Sequence, residues 1–425
     1  MLRAFVNAFK VPDLRKKILF TLFIIAVYRF GSHVPVPVVD VSKLAAALGR
    51  PGKNNFLAFV DLFSGGLARM AVFSLGIMPY ITSSIIMQLL TVVIPKLEQW
   101  QKQGESGAKK INQATRYVTV ALALLQSTAL VFLFHNGSLG VDVFKTGDFT
   151  PGHVALIVLT LTAGTAMIMW MGELITQRGI GNGMSILIFT SVISRLPTQG
   201  HSILVQGGAG KFVAILLLGM AIIVAVVYIE QGQRRIPVQY AKRVVGRKMT
   251  AGGSTYIPLK VNQAGVIPII FASSVLYFPS LLATAVPWAG FRDFVSRYLA
   301  SPQSLVYMTV FGLLVVFFAY FYTAIAFNPV DQADNLRKYG GFIPGIRPGA
   351  PTANHLNDIL VRITLPGSLF LATIALIPSI VLALWQFGQF PFGGTSILIT
   401  VGVALETMKQ IESQLLMRHY EGFLK

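Results

Sequence analysis

Ten stretches of this chain are almost free of charge, and each approaches the length that crosses a bilayer: about 18–36, 74–94, 116–135, 152–175, 181–196, 212–230, 264–284, 304–327, 363–385 and 395–411. Roughly 20 apolar residues in a helix span the hydrocarbon layer. A backbone in lipid has no water to bond, so an isolated apolar stretch must satisfy its own N–H and C=O groups as a helix. The expected fold class is therefore an all-α polytopic membrane protein with ten transmembrane helices. Composition agrees, since 54% of the 425 residues are hydrophobic and only 12% are charged, against about 25% charged in soluble domains. The runs at 181–196 and 395–411 are the shortest. The first run follows LRKK and leads into VPVP rather than a small-residue cleavage site, so it reads as a retained helix.

The little charge present is lopsided: 35 Lys and Arg against 16 Asp and Glu, a net charge of +19. With the N-terminus inside, the inner segments hold 25 of the Lys and Arg residues and the outer loops hold 9. Basic residues accumulate in cytoplasmic loops, so both termini are expected in the cytoplasm. Much of the inner excess lies in two long loops, 231–262 and 328–362. Zero cysteines exclude disulfides and thiolate sites, and the six histidines show no ligand spacing, so no metal is expected.

Two pairs of segments repeat. GIMPYI (76–81) in the second run matches GVIPII (265–270) in the seventh, and GMSILI (183–188) in the fifth matches GTSILI (394–399) in the tenth. Pairing second with seventh and fifth with tenth divides the chain into two five-helix halves, 1–196 and 197–425. Because five is odd, the halves are inverted in the membrane, with a functional axis at their interface.

No acid sits at the centre of any run; Glu173 and Glu406 come nearest, both toward the cytoplasmic side. An ion-coupled transporter usually keeps such a carboxylate, since a central charge costs about 2.5–3.5 kcal/mol and persists only for use. The repeated segments instead supply isoleucines beside Pro79, Pro268 and glycines. Each alone reads as packing or lipid-facing isoleucine; gathered around an axis they would form a dewetted constriction. FLAFVDLFSGG (56–66) is too short to span and ends at Gly65 and Gly66. It is either an ordinary interfacial helix or a segment folded back into an outer funnel.

In QGQRRIPVQYAKRVVGRK (231–248), Arg234, Arg235, Lys242, Arg243, Arg247 and Lys248 lie among apolar and aromatic residues with no acid. This suits an ordered ribbon or helix pair that grips lipid headgroups, an acidic protein or nucleic acid. KYGGFIPGIRPG (338–349) adds a Gly- and Pro-shaped projection carrying Arg347. RGIGNG (178–183) follows no strand and GGAGKF (207–212) lacks the hydroxyl residue after its lysine, so neither supports a nucleotide site and no cofactor is expected.

LFSGG (62–66), GIMPYITSSIIMQLL (76–90), QRGIGNGMS (177–185), GQRRIPVQYAKR (232–243), PLKVNQAGVIPIIFASS (258–274), FNPVDQADNLRKYGGFIPGIRPG (327–349) and FGGTSILI (392–399) closely resemble the bacterial SecY family, channel subunits of the Sec protein translocase. The resemblance covers nearly the whole chain. It implies ten helices in two inverted halves around a central pore in the plasma membrane, and a pore ring of Ile77, Ile81, Met184, Ile188, Ile270 and Ile399. It also implies an outer plug at about 57–66 (Val60, Asp61, Leu62, Phe63, Ser64, Gly65, Gly66) and a lateral gate between spans two and seven with contacts from Gln88 and Asn262. Arg234, Arg235, Lys242, Arg243, Arg247, Lys248 and Arg347 would form the docking surface for the SecA motor and the ribosome. Implied partners are the SecE and SecG subunits, SecA, the ribosome, signal peptides and nascent chains, and membrane lipids. Three positions depart from the family's usual pattern: Met184 for isoleucine, Asp61 for asparagine and Val38 for glycine. The rival reading is a five-plus-five inverted-repeat transporter of a small solute; an intramembrane enzyme lacks any acid, His pair or Ser/Lys dyad at depth.

Overall fold

The computed structural model describes residues 9, 11–40, 66–135, 150–240, 243–245, 248–250, 254–285, 288–299, 301, 304–385 and 394–421. Its helices are α1 (Pro12–Gly31), α2 (Met78–Val93), α3 (Pro95–Lys102), α4 (Glu105–His135), α5 (Pro151–Arg178), α6 (Gly183–Ile193), α7 (Leu196–Gln231), α8 (Ile267–Ala285), α9 (Ala289–Phe294), α10 (Leu305–Ala326), α11 (Pro329–Lys338), α12 (Ala350–Trp385) and α13 (Gly394–Glu421). Strands β1 (Gln233–Tyr240), β2 (Arg243–Val245), β3 (Lys248–Thr250) and β4 (Ser254–Lys260) separate α7 from α8, and β5 (Gly341–Phe342) follows α11. Each of the ten apolar runs carries one helix: α1, α2, α4, α5, α6, α7, α8, α10, α12 and α13.

Several boundaries depart from the expected spans. The fifth is only the 11 residues of α6, about 16 Å at 1.5 Å per residue, too short to cross alone. It ends at a turn through Ser194 and Arg195, and α7 starts at once. The sixth run was expected from 212, but α7 begins at Leu196 and is broken at Gly208 (φ 75°). Helices α4 and α12 extend well beyond lipid length, with 31 and 36 residues. Hydropathy marks where a helix leaves lipid, not where its hydrogen bonding stops.

The repeat is visible in the backbone. Gly76 and Gly265 occupy the same place in their segments, and both adopt the left-handed conformation, at φ 59° and 62°. A side chain is disfavoured there, and in each segment the helix begins two residues later, at Met78 and Ile267. In the second pair, Gly183 and Gly394 are both the first helical residue. Packing order repeats as well. In each half the second helix packs on the third, the third on the fourth and the fourth on the fifth: α2, α4, α5, α6 and then α8, α10, α12, α13.

Between helices, packing replaces the hydrophobic drive that lipid cannot supply. A Cβ on Gly183 would lie 1.9 Å from the carbonyl oxygen of Gly172, so α5 and α6 approach to backbone contact. Ser83 Oγ donates to the Thr115 carbonyl at 2.7 Å and ties α2 to α4. Tyr28 and Ser191 share a 2.6 Å hydrogen bond that fixes α1 on α6. Val38, where the resemblance implies glycine, sits at φ 77°, a conformation that disfavours a branched residue.

Because the obstructing atom at Gly183 is backbone, Gly183→Val should destabilise the protein by about 3 kcal/mol. A clearly lowered thermal midpoint in detergent, with Gly152→Ala as a neutral control because nothing lies near its Cβ, checks this.

Candidate functional site

The four repeated segments converge. Ile77, Ile81, Ile188 and Ile399 are buried in one apolar cluster, against which Met184 and Ile270 pack. Their positions follow from the helix starts: Ile77 is the N-cap of α2, Met184 the second residue of α6, Ile270 the fourth residue of α8 and Ile399 the sixth of α13. Broken backbone at this depth is tolerated only inside protein, and the breaks bring branched side chains together. Asn182 ends the turn between α5 and α6 and accepts from the Met184 and Ser185 amides at 3.1 and 3.4 Å. That helix cap is the role of the Gly-rich RGIGNG segment. Met184 lies over Gly172, where a Cβ would be 2.5 Å from its sulfur; the unbranched side chain occupies a notch that only glycine leaves open.

The second and seventh helices of the chain, α2 and α8, pack on each other. Gln88 and Asn262, the expected polar pair, are not hydrogen-bonded to each other. Asn262 is buried, and its Nδ2 donates to Glu230 Oε1 and, at 2.9 Å, to the Gly265 carbonyl. Gln88 Oε1 is buried with no partner among the described residues. An amide nitrogen carries two hydrogens, and both are taken.

Of the plug positions, Val60, Asp61, Leu62, Phe63, Ser64 and Gly65 lie outside the described residues. Gly66 is buried; its carbonyl accepts from Ser74 Oγ at 3.1 Å.

The basic loop 231–248 forms a ribbon. Antiparallel β1 and β4 run from Gln233↔Lys260 to Gln239↔Ser254. The second loop joins it, because β5 pairs with β1 through Gln239↔Phe342 and Tyr240↔Gly341. Ile236 and Val238 turn toward Leu259, Ile343, Leu356 and Ile359, so the sheet rests on the start of α12. Arg234, Arg235 and Arg347 are exposed, and the Arg235 guanidinium lies 4.8 Å from the Tyr256 ring centroid. Arg243 and Lys248 are placed only as positions in the β2–β3 hairpin, while Lys242 and Arg247 lie outside the described residues.

One ion pair escaped the sequence reading. Arg116 Nε and Nη2 donate to Glu173 Oε1 and Oε2 at 2.7 and 2.6 Å, clamping α4 to α5. Arg116 counts as a loop charge and Glu173 as an acid near a span end; nothing in the spacing pairs them.

The sequence profile of the SecY family matches residues 71–408. The chain is 54% identical to a protein translocase subunit SecY of Streptomyces scabiei over 437 residues, covering all of both chains. It is 51% identical to the SecY subunit of Mycobacterium bovis over 443 residues, again over both full lengths.

The chain belongs to the SecY family.

Two solved structures share the fold at 18% identity and 96% coverage of each chain: a protein-conducting channel with a TM-score of 0.66 and Sec61 from a canine ribosome–channel complex with a TM-score of 0.63. The small-solute transporter reading finds no support in these relationships. The chain is a multi-pass plasma-membrane protein of a channel family, not an enzyme.

The two-point geometry of Arg116 and Glu173, with side chains 40% and 22% exposed, places the pair between surface and buried cases. A double-mutant cycle with Arg116→Ala and Glu173→Ala should give a coupling energy of about 1–2 kcal/mol, read from thermal or denaturant unfolding; additive losses would show the pair to be idle.

Proposed function

We propose that this chain is the protein-conducting channel of a Sec translocase, passing unfolded polypeptides across the plasma membrane and releasing apolar segments sideways into lipid. What supports the reading is that the six proposed ring side chains, five of them isoleucine, lie near helix starts of the repeated segments and share one large apolar core. A constriction of branched apolar groups holds no ordered water and offers an ion no ligand, so it blocks ions while yielding to a chain that forces it apart. A polar or charged pore would leak. The plug at about 57–66 covers the outer side, and Gln88 and Asn262 mark the lateral gate between α2 and α8. The halves are 1–196 and 197–425.

Sorting by such a gate is an equilibrium. Ten Leu-like residues at about −0.3 to −0.6 kcal/mol each favour lipid by roughly 3–6 kcal/mol, and one central charge offsets about 3. The channel supplies no energy; a motor or ribosome on the basic sheet does. The excess of 25 Lys and Arg in the segments assigned inside over 9 in those assigned outside supports a cytoplasmic location for both termini and that sheet. Arg234 and Arg235 on β1 and Arg347 in the turn after β5, together with Lys242, Arg243, Arg247 and Lys248 of the same basic loop, suit the phosphates of ribosomal RNA and the acids of SecA. The Sec61 relative was solved in a complex with a ribosome, which supports that partner. SecE and SecG complete the translocase, and signal peptides, nascent chains and lipids meet at the gate.

In proteoliposomes, Ile81→Gly with Ile270→Gly should raise ion leakage several-fold over the unaltered channel, measured by membrane-potential dye release; unchanged leakage would sink the ring assignment. Separately, Arg234→Glu with Arg235→Glu should weaken ribosome cosedimentation about tenfold near 0.05 M salt, and much less near 0.5 M, where charges beyond a few ångströms are screened.

A further inference from the structure

The base of the cytosolic ribbon is tied to the start of the seventh span through a side chain that no sequence motif singled out. Helix α7 ends at Gln231 and β1 begins at Gln233, while β4 ends at Lys260. The β1–β4 ladder continues one step toward the membrane, where the Val261 amide donates to the Gly232 carbonyl at 3.0 Å. One step further the backbones part and side chains take over. Asn262, 5% exposed, donates from Nδ2 to Glu230 on α7 and to the carbonyl of Gly265. Gly265 is the left-handed residue from which the chain turns into α8, two residues ahead of Ile267. Lys260 at the end of β4 and Lys409 and Glu406 on α13 are near enough to act on the Glu230 charge, so the carboxylate sits where α7, the ribbon and α13 meet.

We propose that Glu230 is a positioning residue that holds Asn262, and through it the turn at Gly265, so that the base of the β1–β4 ribbon sets the direction in which α8 leaves the sheet. This rests on the reading of that ribbon as a docking surface and of α2 and α8 as a gate. The geometry gives the tie its effect. Asn262 has two amide hydrogens, one spent on α7 and one on the hinge carbonyl. None is left for Gln88, whose acceptor oxygen is buried without a partner among the described residues. Among the described residues no hydrogen bond joins Gln88 to Asn262, so this pair does not hold the gate; the latch on the hinge and the packing of α2 on α8 do. A partner that tilts the ribbon moves Glu230 relative to Gly232 and Val261, and the displacement reaches α8 through two hydrogen bonds.

The chain has no cysteine, so one cysteine in α2 and one in α8 report gate closure, choosing a pair that forms a disulfide readily in the otherwise unaltered complex in vesicles. Glu230→Ala should slow that disulfide about tenfold, the effect of one lost charge-assisted hydrogen bond, while ribosomes still bind within about twofold of the unaltered affinity. Glu230→Gln keeps an acceptor oxygen and should restore the rate. Ribosome binding should change the rate in the unaltered and Glu230→Gln complexes and not in Glu230→Ala. Asn262→Ala should slow the disulfide as Glu230→Ala does, with the double variant no slower than either. A wild-type rate for Glu230→Ala, failure of Glu230→Gln to rescue, or additive effects of the two alanines would overturn the latch. If ribosomes fail to bind even the unaltered complex, the docking reading falls, while the rates measured without ribosomes still decide the latch.

Discussion

A backbone in hydrocarbon must satisfy its own hydrogen bonds, and the rest of this structure depends on how the chain obeys that rule where its helices stop short. The spans are helices that close on themselves, and their hydroxyls bond back to the preceding turn, as Thr115, Thr119 and Thr162 do. The exceptions are the left-handed glycines Gly76 and Gly265 and the helix starts at Gly183 and Gly394. Free carbonyls and amides at such places cannot face lipid, so the breaks have to be enclosed by protein. Ile77 and Ile269, close to the two left-handed glycines, are 1% and 0% exposed. Enclosure buries side chains next to the breaks, Ile77 and Ile188 among them, in one large apolar core.

The same constraint separates apolar from charged work. Around the breaks the chain places mostly isoleucine, with Met78, Met184 and Val266, side chains that need no hydrogen-bonding partner. Several charges are kept where they are paired or solvated. Arg116 and Glu173 satisfy each other across α4 and α5, while Arg234 and Arg235 on β1 and Arg347 in the turn after β5 are exposed. Since β5 completes β1, the two long basic loops form one surface, seated on the first turns of α12. A rigid sheet presents its cations in fixed register, which loops of the same composition would not do.

Between those two regions lies the polar step made by Glu230, Asn262 and the Gly265 carbonyl. It satisfies buried donors at the place where a β-ladder has to give way to a helix, and so joins the charged surface to the apolar interior with few atoms. The close approach of Gly367 on α12 to the Val261 carbonyl, 2.4 Å from where a Cβ would be, keeps the base of the ribbon from drifting.

The sequence by itself determined the class, the number of helix-bearing runs and the repeated segments in which the proposed ring residues lie. Hydropathy and charge are sums over windows, and GIMPYI and GVIPII carry their backbone geometry in Gly and Pro, which restrict φ whatever surrounds them. The resemblance of ordered motifs then proposed the ring positions residue by residue; the six belong to or pack on a large apolar core that takes in much of the helix interior. Helix ends were poorly legible: α6 is too short to span and α7 starts at Leu196, because a bend at Arg195 depends on what packs around it. Only the tertiary structure decided that Arg116 meets Glu173, 57 positions away, that β5 joins β1, and that Asn262 gives its hydrogens to Glu230 and Gly265 instead of Gln88. Pairings of that kind follow from which elements come to lie side by side, and a side chain with several reachable partners takes the one the fold presents.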